Sequence, residues 1–216
     1  MRRCWLENIK VPSLIKVDEN LESAVSFASE LFLSGSIFIY PTDTIYGFGG
    51  NPFNEETITR ISKVKGKKNW RRYIFLISDI EILKNYAEIS SERYLDFLLS
   101  IWPNPVSVIL KFNRKYQEIF KSETGAFRIP NNRFCSKLLS ELKMPLISTS
   151  VNRTGAEPMT DPTMIIQEFA NEVDAIFYSD NKSFFEASTL IDLTADEPKL
   201  VREGRIKFVD LIKRLS

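Results

Sequence analysis

The feature that most narrows the fold is a set of short, solid apolar runs separated by amphipathic stretches. Residues 37–40 (IFIY), 73–77 (YIFLI), 106–112 (VSVILKF) and 145–150 (PLISTS) have strand length. Several are solid apolar runs, as expected of strands covered on both faces, and the last ends in hydroxyls. Between them, 21–33, 54–64, 81–86, 91–102, 133–142 and 162–170 show apolar residues at helical spacing. Asn54 stands as a cap before an acidic first turn. Shorter strands are expected at 126–129, 174–178, 189–193 and 199–202, and a closing helix at 207–215. Strands and helices intermingle throughout, so the expected class is a layered α/β (α+β) domain. The length of 216 residues suits one such domain with a full core.

Composition excludes several kinds of chemistry. The chain has no histidine, which removes Ser-His and Cys-His nucleophile pairs and His-ligated metals. Catalysis would have to come from Lys, Arg, carboxylates, hydroxyls and backbone amides. Those groups suit charged substrates such as phosphates and carboxylates. Lys and Arg total 29 against 28 Asp and Glu, so no global basic field argues for nucleic acid. Cys4 and Cys135 lie far apart, in no metal or CxxC spacing, and read as reduced thiols. No stretch approaches the roughly 20 apolar residues of a membrane span. The basic N-terminus lacks a signal peptide's apolar run. The expected location is the cytoplasm.

Several polar clusters interrupt the apolar pattern. Residues 63–72 (KVKGKKNWRR) join an expected helix end to a strand start. A solvated loop at a helix C-terminus explains them as well as a phosphate grip does. They are not a P-loop, because GxxxxGK[ST] is absent. In PLISTSVN an apolar strand delivers Ser148, Thr149, Ser150 and Asn152 in succession, with Ser148 and Ser150 on one face. A strand end with a polar turn is the plainer reading. Ligands do, however, collect at the carboxyl ends of strands in α/β sheets. Arg128 lies inside a short apolar strand, where an Arg is either paired or set to clamp an anion. YPTDTIYGFGG breaks a buried strand with Pro41, and Thr42 and Thr44 would offer hydroxyls to a ligand.

In order, the blocks are YPTDTIYG, KGK followed by RR, IWPNPVSVIL, FRIP, STSVN, STLIDL and LVREG. Together they resemble the YrdC-like family, the threonylcarbamoyl-AMP synthases, over about residues 16–207. The resemblance implies an open, twisted mixed sheet flanked by helices, with a large concave cavity. It implies a single domain, without the additional C-terminal domain of longer members. The implied reaction joins L-threonine, bicarbonate and ATP, with Mg²⁺ on the triphosphate, to give threonylcarbamoyl-AMP and pyrophosphate. A partner transferase then carries the group to tRNA, and some members bind double-stranded RNA. No resident metal and no tightly bound cofactor are implied.

Carried over by position, Lys65 and Lys67 match the catalytic Lys-x-Arg pair, with Lys67 standing where the family has Arg. Thr44, Arg128, Ser148 and Ser188 fall on the threonine side. Lys67, Arg71, Thr124, Ser150, Asn152 and Arg202 fall on the ATP side. Lys for Arg at position 67 gives up a planar fork for a point charge. Arg71 stands where Lys or Asn is usual, Asn104 replaces a Gly, Val151 an Ala and Glu203 a Pro. Two other readings stay open on the residues. One is an RNA- or nucleotide-binding module without turnover. The other is a paralogue acting on a different carbamoyl or amino-acid substrate.

Overall fold

The computed structural model describes residues 12–66, 73–180 and 186–215. Its elements in chain order are β1 (Ser13–Lys16), α1 (Leu21–Leu33), β2 (Phe38–Tyr40), β3 (Gly47–Gly49), α2 (Glu55–Val64) and β4 (Ile74–Leu76). Then come α3 (Ile80–Tyr86), α4 (Glu92–Ile101), β5 (Val106–Lys111), α5 (Arg114–Phe120), β6 (Thr124–Arg128) and α6 (Arg133–Leu142). Last are β7 (Leu146–Ser150), α7 (Pro162–Phe169), β8 (Ala175–Tyr178), β9 (Thr189–Asp192), β10 (Lys199–Arg202) and α8 (Phe208–Ile212).

Local chemistry starts these helices. Asn20, Asn54, Asp79, Ser91, Asn132 and Asp161 each accept a backbone N–H of the first turn through the side chain. Each therefore satisfies a donor that the helix itself cannot. The sequence reading foresaw most elements within a residue or two. It missed β1, β3 and α5.

The strands form one mixed sheet in the order β1-β8-β2-β3-β7-β4-β6-β5-β9-β10. Four neighbour pairs run parallel: β1–β8, β2–β8, β4–β6 and β5–β9. The first half of the sheet is covered on both faces. On one side Phe38, Tyr40, Ala175 and Phe177 pack with α1 and α6. On the other Ile37, Ile39, Phe48 and Ile176 pack with residues of α2 and α7. Adjacent residues of β2 thus enter opposite cores, which is why IFIY has no polar position.

The second half is covered differently. One row across it reads Ile147, Phe75, Phe127, Val108, Ile191. All five are buried, and the last four pack in one core with residues of α3, α4 and α8. The neighbouring row reads Ser148, Ile74, Ala126, Ile109, Asp192. These residues line a cavity of about 730 Å³. The period of two puts one apolar row on the helix-covered face, while the open row mixes Ser148, Ala126 and Asp192 with Ile74 and Ile109. The large concave cavity expected from the sequence lies here.

Candidate functional site

The cavity wall collects most of the residues singled out in the sequence. Thr44, Thr124, Arg128, Ser148, Ser150, Ser188 and Arg202 all line it. Asn152 and Lys65 sit behind Ser150, off the described wall. Lys67 and Arg71 lie outside the described residues.

Arg128, the last residue of β6, is 3% exposed. Its Nη1 donates to Thr44 Oγ1 at 3.0 Å. Its Nη2 lies 3.2 Å from Asp43 Oδ1. That is an ion pair by distance without the alignment of a hydrogen bond, since Asp43 Oδ1 and Arg128 Nε have no hydrogen-bond partner. Asp43 is held from the other side, its Oδ2 accepting from Asn131 N at 3.1 Å. Arg205 Nη1 donates to the Asp43 carbonyl at 3.2 Å. A pair buried this way contributes little net stability, because desolvation offsets most of the attraction. What it does is fix a guanidinium in the wall of the cavity.

The turn that brings Thr44 to Arg128 is built by Thr42. Its hydroxyl donates to the Ile45 carbonyl at 2.7 Å and accepts from Thr44 N at 3.0 Å. The expectation that Thr42 offers its hydroxyl to a ligand is therefore corrected. That group is consumed by an ST-type turn, which leaves Thr44 as the hydroxyl on the cavity wall. β3 follows at once. A Cβ on Gly49 would come within 2.6 Å of the Tyr40 ring, and one on Gly47 within 2.9 Å of Ser148 Oγ. Only glycines let β3 lie against Tyr40 and keep Ser148 open to the cavity. Burial pushes the Tyr40 phenol above its ordinary range, so it stays a neutral donor, to the Ile147 carbonyl at 3.3 Å. Burial likewise raises the Cys135 thiol, whose Sγ donates to the Pro41 carbonyl at 3.4 Å. It is an inert structural thiol.

Ser188 enters from the start of β9. Its Oγ lies 2.8 Å from Ser107 Oγ. Arg202 Nη2 donates to the Ser188 carbonyl at 2.9 Å and reaches its Oγ at 3.3 Å. β10 is exposed along its length, yet the Arg202 guanidinium is partly buried at the cavity rim. Burial and then the charge of Arg128 lower its pKa from the usual guanidinium value. Two guanidiniums thus share one concave wall, an arrangement whose chemistry suits an anionic ligand.

Lys65, the C-cap of α2, is 2% exposed. Its Nζ donates to the Ser150 carbonyl at 2.5 Å, to Asn152 Oδ1 at 2.8 Å and to the Asn152 carbonyl at 3.2 Å. Ser150 Oγ donates to Asn152 Oδ1 at 2.7 Å. The STSVN block and the first Lys of KGK are thus one hydrogen-bonded unit. Ser148, Thr149 and Ser150 carry that unit to the wall.

Sequence reasoning passed over Asp43, Ser107, Asp192 and Arg205. Ser107 and Asp192 were within reach. A period-two count along β5 and β9 places Ser107 with Ile109, and Asp192 with Leu190, on the open face. The role of Asp43 depends on Arg128, 85 residues later in the chain, and no local pattern announces it. Among the described residues, no group of three or more His, Cys, Asp or Glu is placed to hold a metal ion. Among the same residues, no helix is long and apolar enough to cross a membrane.

The site can be set beside known proteins. The Sua5/YciO/YrdC family model, described as telomere recombination, matches residues 30–204. A threonylcarbamoyl-AMP synthase from Pyrococcus abyssi (strain GE5 / Orsay) is 26% identical over 203 residues, 93% of this chain. The chain spans 60% of that relative's length. The crystal structure of P. abyssi Sua5 complexed with L-threonine superposes with a TM-score of 0.83 at 24% identity. That match covers 94% of this chain and 60% of the other. E. coli YciO superposes with a TM-score of 0.81 at 25% identity, covering 94% of this chain and 98% of its own.

Proposed function

The chain belongs to the Sua5/YciO/YrdC family, and from that premise we propose that it is an ATP-dependent L-threonylcarbamoyladenylate synthase serving tRNA modification. The observation that carries this reading is Arg128. A buried guanidinium faces a cavity beside a hydroxyl, and one of its N–H groups lacks a hydrogen-bond partner. It is suited to the carboxylate of an amino acid, with Thr44, Ser148 and Ser188 around it. The triphosphate of Mg·ATP would lie toward Ser150, Asn152 and Arg202, with Lys67, Arg71 and Thr124 completing the nucleotide side.

In this reading the threonine amine attacks the carbon of bicarbonate, and water leaves to give a carbamate. A carbamate oxygen then attacks the α-phosphorus of ATP. The new O–P bond forms as the bond from the α-phosphorus to its bridging oxygen breaks, and pyrophosphate departs. No protein nucleophile is required, which agrees with a chain that has no histidine. The protein's work is to bring two anions together and offset their repulsion. Arg128 and Arg202 supply that charge from the wall, and Lys65 and Lys67 are the cations assigned to the transfer itself. The product would pass to a tRNA-modifying transferase.

The test is threonine- and bicarbonate-dependent release of pyrophosphate from Mg·ATP by the purified protein. Release that requires both co-substrates is the expected result. No release from the native chain, and none from Lys67→Arg, overturns the proposal. A second reading has its own observation. The Lys65 ammonium already has three acceptors within the protein. A cavity that binds nucleotide or RNA without turnover would keep it there. Calorimetric binding of a non-hydrolysable ATP analogue with no pyrophosphate release would favour that reading.

A further inference from the structure

The end of α2 and the segment after β7 are fastened to each other twice. Lys65 gives its ammonium to Ser150 and Asn152, and its carbonyl accepts from Thr154 N at 2.8 Å. One residue earlier, the Val64 carbonyl accepts from Arg153 Nη1 at 2.6 Å. Val64 is the last residue of α2, so its carbonyl has no partner within the helix. A guanidinium is well placed there, at the negative end of the helix dipole.

Arg153 is itself held on three sides. Its Nη2 donates to Glu172 Oε1 at 2.5 Å and its Nη1 to Glu172 Oε2 at 3.0 Å, a fork on one carboxylate. Its Nε donates to Glu168 Oε1 at 2.9 Å. Its guanidinium carbon stands 4.6 Å from the Phe169 ring centroid. Phe169 meets Phe48 edge-on at 5.1 Å, and Phe48 carries Lys65 Nζ at 5.5 Å from its ring centroid. A chain of contacts therefore runs from Arg153 through two rings to Lys65, in addition to the hydrogen bonds.

We propose that Arg153 is the positioning residue for Lys65. It bolts the C-terminus of α2 to α7 so that the Lys65 ammonium stays beside Ser150 and Asn152 at the nucleotide side. It touches no substrate and acts only through Lys65. The inference rests on the proposed function only for what Lys65 then does; the clamp itself can be measured without turnover.

The experiment is chemical labelling of amines in the folded protein, followed residue by residue with mass spectrometry. Lys65 is buried, so its labelling reports local opening of this clamp. In Arg153→Ala, Lys65 should label about tenfold faster, the scale of one lost charge-assisted hydrogen bond. Exposed lysines such as Lys84 and Lys213 should label unchanged. Arg153→Lys keeps one cation but cannot serve Val64, Glu168 and Glu172 together, and should restore part of the protection. Glu172→Gln weakens the fork without touching α2, and gives an intermediate rate if Arg153→Ala does not fold. Unchanged Lys65 labelling in folded Arg153→Ala, or in Glu172→Gln where Arg153→Ala does not fold, overturns the proposal. If the native chain binds no ATP analogue and releases no pyrophosphate, the functional reading fails while the labelling still decides the clamp.

Discussion

The two halves of the sheet use the same strand period for different ends. Between β1 and β7 both faces meet helices, and successive residues enter two cores. Between β4 and β10 one row is packed and the next lines a cavity. The first half stores stability. The second sets aside part of its surface for polar groups that a core would not tolerate unpaired. Substitutions in the two halves should therefore separate stability from binding.

The sharpest test of that separation is Arg128→Ala, in the open half. It leaves the Asp43 carboxylate buried without its counter-ion and should cost about 3–5 kcal/mol in urea unfolding. Threonine-dependent pyrophosphate release should disappear with it. Adding Asp43→Asn should recover most of the stability and none of the release. Recovery of both would mean that the pair is structural only.

Phe38→Ala, in the covered half, should lose about 3–5 kcal/mol by leaving a cavity between β2 and the α1–α6 layer. Its folded fraction should bind the ATP analogue as the native chain does. A change in affinity beyond twofold would show that the two halves are not independent.

Alkaline pH probes the packed face of the open half. Burial first, and then Tyr116, pushes Tyr86 up to about 12. The unfolded chain ionises this phenol near its ordinary value of about 10 while the folded chain does not. The folded state thus holds more protons, so stability is full below about pH 10 and falls between about pH 10 and 12. The expected loss is roughly 2 kcal/mol. Tyr86→Phe should flatten that part of the profile, and an unchanged slope would remove Tyr86 as its source.

The smallest effect is at the cavity wall. Thr44→Ala removes one hydrogen-bond partner of Arg128 and should weaken threonine binding by about 1 kcal/mol. Binding of the ATP analogue should change less. Equal losses for both ligands would move Thr44 off the amino-acid side.

Much of the fold was legible because periodicity and capping act over a few residues. The segments that escaped lack those local signals. β3 is a Gly-Phe-Gly strand with no β-forming side chains at two of its three positions, and it exists because glycine fits against Tyr40. α5 ends on Lys121 in a left-handed conformation, φ 48°, where a glycine would have marked the stop. β1 is a short edge strand with two exposed residues, defined by its pairing with β8. At the site, the residue blocks were visible one by one, and so was the resemblance they make together.

The sequence alone determined the chemistry available to this protein. Without histidine, any reaction must run on cations, carboxylates, hydroxyls and backbone amides. Only the tertiary structure decided how those groups are used. It paired Asp43 with Arg128, spent the Thr42 hydroxyl on a turn, and turned the Lys65 ammonium inward to Ser150 and Asn152. The physical reason is range. Strand and helix patterns are set by near neighbours, whereas the partner of a buried charge is set by sheet order. Here that order joins residues as far apart as 43 and 128, or 65 and 152.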